Sequence, residues 1–154
     1  MRIGELTRSG FHPAPTPDLD ALRDHFSQQH YVRLDGLIEP WLLERWAEWV
    51  DAAPFRPRTH HDAAYWGGEP PVDHIIDAAD VLGRMLFAIT DPALFRAIEH
   101  ATDCGPIGCF HGFVYRLGVA TGDRDRFHSD MNGNRLAAMS INLGREPYKG
   151  GPSR

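Results

Sequence analysis

Cysteine is scarce, apolar runs are short, and basic residues form no stripe; each absence removes a class of protein. Only two cysteines occur in 154 residues, Cys104 and Cys109, with Gly105, Pro106 and Gly108 among the four residues between them. Two thiols cannot build a disulfide framework, the gap is not that of a two-residue redox pair, and no second pair completes a zinc site. The expectation is two reduced thiols serving as small buried residues in a cytoplasmic protein. No apolar stretch approaches the roughly 20 residues that cross a bilayer, and no secretory leader is recognisable, so neither a span nor export is expected. The net charge is -5, with Arg and Asp dispersed along the sequence. A nucleic-acid partner therefore has no electrostatic footprint. Internal repeats and low-complexity tracts are absent too.

What is there, at 42% hydrophobic residues, suffices for one domain, or part of one, with a core. Residues 1–15 show no period and read as a loose arm or a strand added at a sheet edge. Residues 16–105 read as a helical support region. Thr16 is a candidate N-cap with Pro17 at the first helical position, and Leu19, Leu22 and Phe26 form a stripe to about His30. A short strand over Tyr31–Leu34 leads to a second helix, Pro40 to Ala52, with Leu42, Leu43, Trp46 and Val50 at helical spacing. Trp41 and Trp49 lie off that stripe and read as a wide core contact in preference to a substrate entrance. Pro54 to Pro71 is punctuated by Pro and Gly but carries His60, His61, Tyr65 and Trp66, a composition that suits a lid-like loop and a solvated surface loop equally. Then come a helix over Ala78–Ile89, with Val81, Leu82, Met85 and Leu86 inward, and one started by Asp91-Pro92 and running to about Thr102.

Residues 106–154 change character. From Cys109 to Leu117 the sequence is rich in aromatic and branched residues, with His111, Phe113, Tyr115 and Leu117 on one parity. Further on, Met139, Ile141 and Leu143 alternate with Ala138, Ser140 and Asn142, the period of a half-buried strand. Between the two lies His128-Ser-Asp130. Strand residues two apart share a face, so His128 and Asp130 can present an imidazole nitrogen and a carboxylate oxygen to one metal ion. These are two members of a 2-His-1-carboxylate triad, the set that suits non-heme Fe(II) and leaves positions open for small ligands. A His-x-Asp triplet arises by chance about once among nine histidines. Indeed His60 and Asp62 form another, but in loop-like sequence. The His128 copy is set apart by its flanking strands. No histidine follows it. Arg135 is a candidate for a substrate carboxylate, read in preference as a solvated strand-end residue. His74 and His111 lack a partner at ligand spacing and read as structural.

Through Tyr115-Arg-Leu-Gly118, His128-Ser-Asp130, Ser140-Ile-Asn-Leu143 and Tyr148-Lys-Gly-Gly151, the sequence resembles the 2-oxoglutarate and Fe(II)-dependent oxygenases, of the prolyl-hydroxylase and phytanoyl-CoA-dioxygenase kind. His30 to Trp46 resembles the strand, turn and helix that open that superfamily's domain. The resemblance implies α+β architecture: a double-stranded β-helix, or jelly roll, with N-terminal buttressing helices. It implies Fe(II) held by His128 and Asp130, 2-oxoglutarate as cosubstrate with Tyr115 beside it, and dioxygen and a small or amino-acid-like molecule as reactants, with hydroxylation of a C–H bond as the outcome. The pattern breaks off at Gly151, before the family's distal histidine and the Arg or Lys that grips the far carboxylate of 2-oxoglutarate. A jelly roll takes roughly eight strands, and about half are found, so the expectation is an N-terminal fragment, aggregation-prone on its own. A non-catalytic β-helix module that binds a ligand is the alternative, and a cupin-type metal enzyme a weaker one, since paired histidines are absent around His128.

Overall fold

A computed structural model of the chain describes residues 2–59, 72–116 and 134–144. The N-terminal segment is a hairpin, neither a loose arm nor a single edge strand. β1, Gly4–Thr7, pairs antiparallel with β2, Gly10–Pro13, with Leu6 opposite Phe11. Four-residue strands are too short to show a period in sequence. The turn needs Gly10, whose φ of 119° disfavours any other residue. Leu6 and Phe11 point into the core. The outer edge of β1 is also used: Leu6 N–H donates to Leu37 O at 2.6 Å and Glu39 N–H donates to Leu6 O at 3.0 Å. The strand expected over Tyr31–Leu34 forms no ladder; pairing comes a few residues later, in the parallel bridge of Leu6 with Ile38.

Four helices follow from recognisable signals. α1, Leu19–Gln29, is capped by Asp18, whose carboxylate accepts from Ala21 N–H, so it starts slightly later than a Thr16 cap implies. α2, Pro40–Ala52, begins with proline at its first position and buries Leu42, Trp46, Ala47 and Val50. α3, Ala79–Ile89, buries Met85 and Ile89. α4, Pro92–Thr102, is capped by Asp91 and buries Leu94, Phe95, Ala97 and Ala101. α1 lies along α4, and their exposed sides are linked by Arg23–Asp103 and His100–Asp20, each at 2.9 Å. Of the two tryptophans off the α2 stripe, Trp49 packs against the core, whereas Trp41 is exposed.

The second sheet has strand order β3-β4-β5, all antiparallel, from Phe55–Thr59, Val72–Ile76 and Tyr115–Arg116. β3 occupies the first part of the segment expected as a lid-like loop, and the rest of that segment lies outside the described residues. Its Arg-Pro-Arg sequence reads as a turn, but β3 is an edge strand, where a proline without an N–H is tolerated. One core joins hairpin, helices and sheet, with Trp46, Leu6, Leu22 and Leu94 fully buried at its centre.

Candidate functional site

Alternation along three paired strands gives the sheet two unlike faces. Phe55 and Ile76 are opposite each other, as are His74 and Arg116, and these four look toward the helices. Ile76 belongs to the main core, and Phe55 and Val114 pack against it. Arg116 lies over the Phe55 ring at 4.2 Å and donates to the Val50 carbonyl at the end of α2, at 3.1 Å. The helices therefore cover this face.

The other face carries Arg58 opposite Asp73, and Ile75 opposite Tyr115. Arg58 binds Asp73 through two parallel bonds, Nε to Oδ1 at 2.9 Å and Nη2 to Oδ2 at 2.5 Å. Asp73 is only 7% exposed and is the one buried charged residue among those described. The Arg58 guanidinium also sits 5.2 Å from the ring centre of Phe113, two residues before Tyr115 and on the same parity. His111 continues that parity, with its ring edge-on to Phe113 at 5.0 Å. Among the described residues, this second face, called helix-free below because no described helix is seen to pack on it, carries an aromatic row beside the ion pair; Phe113 and Tyr115 are each about half exposed, while Asp73 and Ile75 are buried.

The expected site residues fall unevenly on this structure. Tyr115, expected to point inward, lies on the sheet face opposite Phe55 and Ile76 and is 50% exposed. His128 and Asp130 lie outside the described residues, as do His60 and Asp62. Among the described residues no group of three or more His, Cys, Asp or Glu is placed to hold a metal ion. Met139, Ile141 and Leu143 pack against the core while Ser140 and Asn142 are exposed, so the period-two pattern is real although no ladder forms there. Asn142 turns its oxygen back to accept from Gly144 N–H at 2.9 Å. Arg135 is exposed. Cys104 is half-buried and Cys109 exposed, contrary to the expectation of two buried thiols; the Gly and Pro between them keep the segment at the surface. Two shallow hollows, of about 300 Å³ beside Thr7 and Glu39 and about 250 Å³ between Phe11, Leu19 and Arg96, include no residue of β3, β4 or β5.

Arg58 and Asp73 were not singled out by sequence. The signal was a lone carboxylate inside the apolar run Val72 to Ile76, a position that calls for a buried partner.

Compared with protein-family models, curated proteins and solved structures, the chain matches none. Its class is set by its own fold: among the described residues, an α+β protein of four helices and two small antiparallel sheets. No described helix is long and apolar enough to cross a membrane.

Proposed function

We propose that the chain carries the cosubstrate-binding strands and two of the iron ligands of a 2-oxoglutarate and Fe(II)-dependent oxygenase built on a jelly roll. The observation that carries this reading is the asymmetry of the β3-β4-β5 sheet. Helices cover one face, and Tyr115 projects from the other, which would be the interior of a buttressed β-helix. The donor chemistry fits the metal: an imidazole from His128 and a carboxylate from Asp130 suit Fe(II) and leave room for a chelating cosubstrate. Bound iron supplies the activation of dioxygen, and the protein's share is to orient reactants and exclude competing reactions. The Tyr115 hydroxyl donates a hydrogen bond to a carboxylate of 2-oxoglutarate and fixes its orientation. A third protein ligand and a basic partner for the far carboxylate would complete such a site, and the residues named above do not supply them. A small or amino-acid-like substrate, hydroxylated at a C–H bond, is the reaction proposed.

Anaerobic titration of the full-length protein with Fe(II) and 2-oxoglutarate tests this. Joint binding should give a charge-transfer absorption band that neither gives alone. Tyr115→Phe should weaken 2-oxoglutarate by about tenfold, the loss of one hydrogen bond to a charged group. Absence of the band in the wild type would refute the proposal.

A further inference from the structure

We infer that Arg58 is a substrate-recognition residue on the helix-free face and that the substrate it selects bears a carboxylate. This rests on the proposed function and names the class of substrate for the same site.

Arg58 is held from two directions. Nε and Nη2 are taken by the buried Asp73, and the guanidinium plane is stacked near Phe113. Both constraints leave the Nη1 edge, which donates to no described residue. An arginine side chain normally loses much rotational freedom on binding a ligand, and here that cost is met within the fold. Its side chain retains 25% exposure while that of Asp73 retains 9%. The cation is therefore the member of the pair that solvent, or a ligand, can reach.

A structural role alone explains this arrangement poorly. An ion pair with a buried carboxylate is often no more stabilising than apolar residues of similar volume, and Ile75 shows that apolar residues are used on the same face. The ion pair has no net charge, so it draws anions weakly from a distance and favours a ligand whose oxygens meet the remaining N–H groups at close range. A planar carboxylate does so. Arg58 and Tyr115 stand on the two strands that flank β4, displaced by two residues. Strand geometry puts their backbones about 12 Å apart, room for a small acid between the arginine and the cosubstrate that Tyr115 is proposed to hold.

Calorimetric titration of the metal-free, full-length protein with the L-amino acids and their primary amides provides the test. At least one acid should bind, and its amide should not. Arg58→Lys keeps a charge against Asp73 but loses the planar fork, and should weaken that acid by about tenfold to a hundredfold. Should that variant not fold, Phe113→Ala, at a residue 49% exposed, frees the guanidinium and should weaken the acid severalfold. No acid binding, equal binding of acid and amide, or unchanged affinity in both variants would overturn the inference. So would a loss confined to 2-oxoglutarate, which would make Arg58 a cosubstrate residue. Since iron is absent throughout, a failure of the oxygenase reading would show only in the charge-transfer titration and leave these results standing.

Discussion

Asp91 links two parts of the molecule through one carboxylate. Oδ1 accepts from Ala93 and Leu94 N–H at the start of α4, and Oδ2 accepts from Phe11 N–H of the hairpin at 2.9 Å. Burial works to raise its pKa, but the three N–H donors and the nearby Arg96 together hold it below the ordinary value of 3.8. The folded state therefore binds this proton less readily than the unfolded one. Its stabilisation is complete above the ordinary carboxylate range and is lost as pH falls through the lowered value. Asp91→Ala should cost about 1–2 kcal/mol at neutral pH, measured by urea unfolding. Asp91→Asn should keep most of the cap and remove this acid-dependent part. Equal stability of wild type and Asp91→Ala would show that hairpin and helix are held independently. The same carboxylate oxygen adds to the backbone constraint at Gly10, where an added Cβ would lie 3.0 Å from it.

Elements were legible in proportion to their length. The spacing of Leu42, Trp46 and Val50 placed α2, and Asp91-Pro92 placed α4, because a helix repeats its apolar residues and proline marks its start. The hairpin and β3 were not legible. Leu6 and Phe11 are single inward residues in four-residue strands, and Pro57 between two arginines resembles a turn until its edge position is known. The same limit applied to the site: parity along Phe113 and Tyr115 was readable, but their pairing with Arg58 and Asp73 depends on β4, a strand recognised only in the fold. Within α2 the division of labour predicts unequal costs. Trp46, 1% exposed, should lose about 3–5 kcal/mol on substitution by alanine. Trp41, 52% exposed with Arg45 stacked on it, should lose about 0.5 kcal/mol or less. Comparable losses at both positions, in chemical denaturation, would mean that the outer side of α2 is covered as well.

On the scale of the whole molecule, hairpin, helices and one sheet face share a single core, and the Arg58–Asp73 pair lies with Phe113 and Tyr115 on the other face. That division is what a buttressed barrel requires: the helices give the sheet a rigid back, and side chains of opposite parity are left to meet ligands. Under the proposed function the metal is held by the His128-Ser-Asp130 triplet and not by the one at His60. Succinate formation from 2-oxoglutarate by the full-length protein, with Fe(II) supplied, tests it most directly. His128→Ala and Asp130→Ala should each abolish succinate formation, since each removes a protein ligand from a three-ligand site, whereas His60→Ala and Asp62→Ala should leave most of it. Equal loss from both pairs, or wild-type turnover in the His128 variant, would refute the proposed metal site.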